Sequence, residues 1–187
     1  MVYEPQEDSY LLEKVVKESV KPRMIVCDMG TGSGIQAYAA SEAGARTVLA
    51  VDIDNQALDY VMTQIKEKNY ANIRTKHSDL FSEFQKTDFF DIIIFNAPYL
   101  PDDERDPDLA LDGGKEGHEL IGEFLKQAKD HLNENGQVLL LFSTQSNLQK
   151  VMEHITHNGF IAEEKAHEGM FFEGLYVYSL RRQGNDD

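Results

Sequence analysis

Apolar residues recur along this chain in two rhythms. Between residues 7 and 20, Leu11 and Val15, then Leu12 and Val16, stand four apart, a spacing that stacks them on one helix face. Pro22 ends that segment. Shorter apolar runs follow, at residues 24–27, 47–51 and 90–95, with a weaker one at 73–76; their length and branched side chains predict strands. Between them, residues 35–43 predict a small-residue helix closed by Gly44. Residues 56–68 place Leu58, Val61, Met62 and Ile65 at helical spacing. A long loop then runs from Ala97 to about Gly117. Beyond it the pattern predicts a helix over 119–131, a strand over 137–142 opened by Gly136, and a helix over 146–156 stopped by Asn158-Gly159. Two successive strands, 160–164 and 175–180, close the chain.

Strand and helix alternate, so the expected fold is α/β, a parallel sheet covered by helices on both faces. The strand pair at the end predicts an antiparallel edge, a common addition to such sheets. Residues 1–182 are expected to form a single domain that includes the N-terminal helix, with 183–187 as a polar, frayed tail. Ligands of open α/β sheets bind beyond the carboxyl ends of the strands. Four groups fall at such ends: residues 28–34, Asp52, Asp79 and residues 96–99. Their coincidence predicts one shared site.

Composition narrows what that site binds. The chain has 33 acids against 18 bases, a net charge of −15. A surface of that sign argues against direct binding to a phosphate backbone, which needs lysine and arginine to displace counterions. It favours cationic small molecules and basic protein segments. The acids at 102, 103, 104, 106 and 108 sit in the long loop, as a solvated stretch or as an attraction for a basic substrate segment. Cys27 is the single cysteine, so no intrachain disulfide is possible, and its strand setting reads as core. The six histidines are scattered without companion ligands, and no metal site is expected. No apolar stretch reaches membrane-spanning length and the N-terminus has no leader pattern; a cytoplasmic protein without membrane contact is the expectation.

The chemistry-bearing residues divide into a donor set and an acceptor set. Gly30, Gly32 and Gly34, after Asp28, permit a tight strand-to-helix turn whose backbone a ligand can approach closely. The spacing differs from the dinucleotide fingerprint, so pyrophosphate is disfavoured. Asp52 can accept from both hydroxyls of a ribose, since Asp54 or Asn55 is better placed to cap the next helix. Asp79 can bind an exocyclic amino group with Leu80 against the ring, although an exposed turn acid explains it almost as well. Asn96-Ala97-Pro98-Tyr99 carries the reaction: Asn96 Oδ1 and the Ala97 carbonyl can hold the two N–H groups of a planar nitrogen, Pro98 stiffens the corner, and Tyr99 offers a flat face.

With those residues in view, the chain resembles the class I S-adenosylmethionine-dependent methyltransferases. Within them it is similar to the archaeal and eukaryotic branch of the HemK-type protein glutamine methyltransferases. Tyr3-Glu4-Pro5-Gln6-Glu7-Asp8-Ser9 matches that branch's opening segment, and Asp112-Gly113-Gly114-Lys115-Glu116-Gly117 its later one. The resemblance implies a Rossmann-like doubly wound seven-stranded sheet of order 3-2-1-4-5-7-6 with the last strand antiparallel. It implies S-adenosyl-L-methionine as cofactor, with Ser9, Asp28 and Gly30 near its methionine end, Asp52 on the ribose, and Asp79 and Leu80 on the adenine. Asn96 would stand between cofactor and acceptor, and Pro98 and Tyr99 would complete the family's Asn-Pro-Pro-Tyr. The implied acceptor is a glutamine of a translation termination factor, and the implied partner a small zinc-binding activator subunit. Ala97 departs from the family's first proline; it frees φ and restores an N–H, which is expected to loosen the turn slightly. Two rivals share these residues: an N6-adenine methyltransferase acting on DNA or RNA, and a non-catalytic methyltransferase-like subunit, motivated by Ala97 and the apolar run at 169–178.

Overall fold

The computed structural model describes residues 4–98, 113–169 and 173–184. Seven strands form one sheet: β1 (Ile25–Met29), β2 (Thr47–Asp52), β3 (Ile73–His77), β4 (Phe90–Asn96), β5 (Leu132–Ser143), β6 (Phe160–Gly169) and β7 (Gly174–Arg182). Among the described residues five α-helices flank it: α1 (Glu7–Ser19), α2 (Ile35–Glu42), α3 (Asn55–Lys68), α4 (Glu119–Ala128) and α5 (Leu148–His157). The strand order is β3-β2-β1-β4-β5-β7-β6, with β7 antiparallel to both neighbours. The doubly wound sheet and its antiparallel last strand are those expected. The order is the one the resemblance implies, and it corrects only the local pattern's antiparallel edge. β7 is inserted beside β5, and β6 takes the edge in the same direction as β5.

Period-two alternation along the central strands sends apolar side chains to both faces. Val26, Ile92, Ile94, Leu139 and Leu141 pack under α1, α2 and α3, where Leu12, Val16, Ala40 and Val61 are fully buried. Cys27, Met29, Ile93, Phe95, Leu140 and Phe142 pack under α4 and α5, against Ile121, Phe124, Leu125 and Val151. Burial of the Cys27 thiol pushes its pKa well up, with the neighbouring Asp28 charge adding to the rise; it is a core residue.

The boundaries that moved did so where backbone pairing outweighs side-chain pattern. β5 begins at Leu132, not 137, although Asn133, Glu134 and Asn135 are polar. Asn133 Nδ2 donates to Asp91 Oδ1 at 2.7 Å, and Gly136 lies so close to Phe90 that a Cβ would stand 2.9 Å from its carbonyl oxygen. β6 runs on from 164 to Gly169 through charged residues, because an antiparallel ladder with β7 needs no buried side chains on an edge. The fourth helix is α-helical only to Ala128 and tightens into a 3₁₀ turn over Lys129–His131.

Candidate active site

The carboxyl ends of β1, β2, β3 and β4 lie side by side in the order β3-β2-β1-β4, and each carries one of the singled-out groups. Asp28, near the end of β1, is buried. Its Oδ2 accepts from Thr31 Oγ1 at 2.6 Å and from the Ala37 amide at 3.0 Å, tying the turn to the first residues of α2. Loss of water pushes this carboxyl up to about 7; the Thr31 and Ala37 bonds restrain the rise, and the Asp52 charge adds to it. The turn itself needs glycine. Gly30 and Gly34 have φ of 64° and 82°, and a Cβ at Gly34 would stand 2.5 Å from the Tyr38 ring. The Thr31 amide donates to the Val51 carbonyl at 2.8 Å, so the turn is anchored to β2.

Asp52 ends β2 half-buried. Its Oδ2 accepts from the Gly32 amide at 2.8 Å and its Oδ1 from the Asp54 amide at 2.9 Å. Each carboxylate oxygen retains a lone pair for a ligand hydroxyl. The capping of α3 falls to Asp54, whose Oδ1 accepts from the Gln56 amide at 2.8 Å, leaving Asp52 clear of that task. Asp79 is exposed beyond β3. Leu80 beside it is half-buried with φ of 45°, a left-handed conformation that costs a branched residue on the order of 1–3 kcal/mol. Ser78 Oγ holds it there by donating to the Leu80 carbonyl at 2.7 Å.

Asn96 ends β4, and its two amide atoms differ in kind. Nδ2 donates to Asp8 Oδ2 at 2.8 Å; Oδ1 is buried with no hydrogen-bond partner among the described residues. A buried bare carbonyl oxygen is costly and calls for a donor. Ser9 is buried beside Asp8 in the first turn of α1. Its Oγ donates to Asp8 Oδ1 at 3.2 Å, and its carbonyl accepts from Gln36 Nε2 of α2 at 2.9 Å. Ala97 is buried, and its amide donates to the Leu141 carbonyl at 3.3 Å. The N–H that proline lacks is therefore used to lengthen the β4–β5 ladder, against the expected loosening. Pro98 is half-buried against the returning loop: a Cβ on Gly113 would stand 2.5 Å from the Pro98 carbonyl oxygen. Tyr99, the acids at 102–108 and residues 170–172 lie outside the described residues.

Asp8 and Gln36 are the site residues that sequence reasoning did not single out. An acid in a helix's first turn reads locally as a partner of the helix dipole, and nothing nearby in sequence points to a residue 88 positions away. Among the described residues no cluster of three or more histidine, cysteine, aspartate or glutamate side chains is placed to hold a metal, and no helix is long and apolar enough to cross a membrane. A broad groove of about 1150 Å³ borders α4 and α5, lined by Glu116, His118, Lys150 and His154 among others. None of the strand-end residues is among those lining it.

A glycine turn, a half-buried carboxylate on the next strand and, on the fourth, an amide oxygen with no partner among the described residues are compatible with a nucleoside cofactor beside a hydrogen-bond donor. The chain belongs to the methyltransferase small domain family, whose model matches residues 7–168. Class I methyltransferases of this kind take their methyl group from S-adenosylmethionine. The chain is 34% identical over 186 residues to a Methanocaldococcus jannaschii protein assigned as a protein N5-glutamine methyltransferase, covering 97% of this chain and 92% of that one. It is 34% identical over 145 residues to the release factor glutamine methyltransferase of Lactococcus lactis, covering 72% of this chain but only 53% of the bacterial protein. Its fold matches the structure of the E. cuniculi Mtq2-Trm112 complex with a TM-score of 0.77 at 22% identity, over 97% of this chain and 98% of the other.

Proposed function

We propose that this enzyme methylates the side-chain amide nitrogen of a glutamine in a translation termination factor. The observation that carries the reading is the buried Oδ1 of Asn96 at the tip of β4, which has no hydrogen-bond partner among the described residues. An amide nitrogen is a poor nucleophile because its lone pair is delocalised. Accepting its two N–H groups on Asn96 Oδ1 and on the Ala97 carbonyl would turn the lone pair outward and favour positive charge as it develops. Pro98, close against Gly113, would stiffen the corner that presents the Ala97 carbonyl, and Tyr99 would cover the acceptor's plane. Transfer to the neutral NH₂ would first give an N-protonated, positively charged methyl amide, which is acidic enough to lose that proton to water, so no side chain need serve as base.

The same strand ends fit the cofactor. Asp28, Gly30, Gly32, Gly34 and Ser9 would line its methionine end, Asp52 would accept from the ribose hydroxyls, and Asp79 and Leu80 would meet the adenine. When bound, S-adenosylmethionine supplies an electrophilic methyl on a sulfonium. Both relatives described above are named as glutamine methyltransferases, and the net charge of −15 suits a basic protein segment better than a nucleic acid. The complex whose fold this chain shares contains a second protein, Trm112, and is described as responsible for methylating the termination factor eRF1. We extend that to a small, zinc-binding activator subunit for this enzyme. Residues 1–182 would act as one catalytic unit, in the cytoplasm.

The test is incubation with methyl-labelled cofactor and the matching termination factor, with and without an activator subunit. Label is expected on the wild-type factor and absent when the glutamine of its Gly-Gly-Gln motif is changed to alanine. Equal labelling of both factors would reject the glutamine as acceptor.

A further inference from the structure

Asn96 can present either end of its amide to the acceptor, and only one end is useful. An acceptor amide arrives with N–H donors, so Nδ2 facing it would set donor against donor. We infer that Asp8 is a positioning residue that holds Asn96 the productive way round, acting on the substrate only through that amide; the inference rests on the glutamine reading above. A carboxylate only accepts hydrogen bonds, so whichever end of Asn96 meets Asp8 must be the nitrogen. That end donates to Asp8 Oδ2 at 2.8 Å, and the oxygen is left without a partner among the described residues.

The carboxylate is itself held in place. Asp8 is 4% exposed, Ser9 Oγ donates to its other oxygen at 3.2 Å, and Gln36 Nε2 fixes the Ser9 backbone from α2 at 2.9 Å. Two helices therefore brace one acceptor against the tip of β4. The arrangement also polarises the amide: donation from Nδ2 to a negative group makes the far oxygen a stronger acceptor, since hydrogen bonds in a chain reinforce one another. α1 thus has a chemical duty besides covering one face of the sheet with Leu12 and Val16.

Three variants and one spectrum test this. Asp8→Ala and the size-preserving Asp8→Asn are each expected to lower kcat by about 10²-fold while calorimetric cofactor affinity holds, since misorientation without loss of binding has that effect. Exchanging the pair, Asp8→Asn with Asn96→Asp, restores a donor on α1 and an acceptor on β4. It is expected to be about tenfold faster than the product of the two single losses allows, the mark of coupled groups. An unchanged kcat in Asp8→Ala, or strictly multiplicative losses in the exchange, overturns the inference. Independently of activity, the Asn96 side-chain NH₂ signals in an ¹⁵N spectrum, assigned by their absence in Asn96→Asp, are expected to shift and to exchange faster in Asp8→Ala; signals that stay put overturn it. A wild type that methylates no glutamine while those signals still depend on Asp8 rejects the acceptor reading and leaves the amide lock standing.

Discussion

At the tips of β1 and β2 the protein supplies its own donors: Asp28 takes two on one oxygen, and Asp52 takes one on each. At the tip of β4, one end of Asn96 is fixed just as firmly and the other is left with nothing among the described residues. The first corner is finished before any ligand arrives, as befits groups that recognise a cofactor by shape and need not reorganise. The second leaves Asn96 Oδ1 open, the atom to which the proposed function brings the acceptor's hydrogens and where stabilisation of a developing charge would belong. Under the proposed function, binding and reaction would thus fall on neighbouring strands with opposite degrees of satisfaction.

The sharpest way to break that contrast is Asn96→Ala. It is expected to lower kcat by about 10²–10³-fold, the scale of losing one polar group aimed at a transition state, with calorimetric cofactor affinity unchanged. Equal loss of both would merge the two corners into one.

Asp52→Ala addresses the other corner. It removes acceptors for the Gly32 and Asp54 amides and for the ribose, and cofactor affinity is expected to fall by about 10–100-fold in calorimetry, the scale of charged hydrogen bonds. Single-turnover rates at saturating cofactor should change far less.

Asp28 gives the pH dependence. Its folded pKa is raised to about 7 by burial, above its ordinary range. The folded state therefore holds a proton that the unfolded chain has already lost, and stability falls as pH rises from about 4 to about 7. Asp28→Asn keeps an oxygen for Thr31 and Ala37 and removes the buried charge. It is expected to raise unfolding free energy by roughly 2–4 kcal/mol at pH 8 and hardly at all at pH 4, measured by denaturant titration. In the wild type, cofactor affinity is expected to rise with pH up to about 7, because a cationic ligand favours the ionised carboxyl.

Two smaller changes probe the acceptor corner's frame. Gly113→Ala forces a methyl against the Pro98 and Gly117 carbonyls, at 2.5 and 2.7 Å, and is expected to cost about 1–3 kcal/mol and to raise the acceptor's KM. Ala97→Pro removes the hydrogen bond to Leu141 and gains rigidity, so thermal stability is expected to move by about 1 kcal/mol or less.

The two corners were not equally readable in the sequence. The cofactor corner announces itself within 25 residues, because the glycines, Asp28 and Asp52 are all set by one strand–turn–helix–strand unit whose apolar rhythm is strong. Asn96 was legible for the same reason: it follows the run Phe90–Phe95. The brace on it was not, since Asp8 meets Asn96, and Gln36 the Ser9 carbonyl behind it, only after α1 and α2 pack on the sheet. The strand insertion of β7 between β5 and β6 was equally silent in the local pattern; it came from family resemblance, because alternation within two strands does not say which one pairs inward.

The most direct measurement is the ¹⁵N spectrum of a glutamine side chain in a Gly-Gly-Gln peptide, titrated with enzyme loaded with the demethylated cofactor product. Both amide protons are expected to move downfield on binding the wild type, and one of them to revert with Asn96→Ala. Binding that leaves those protons where they are in free peptide, or that shifts them identically with Asn96→Ala, would contradict the assignment of Asn96 Oδ1 as the acceptor's anchor.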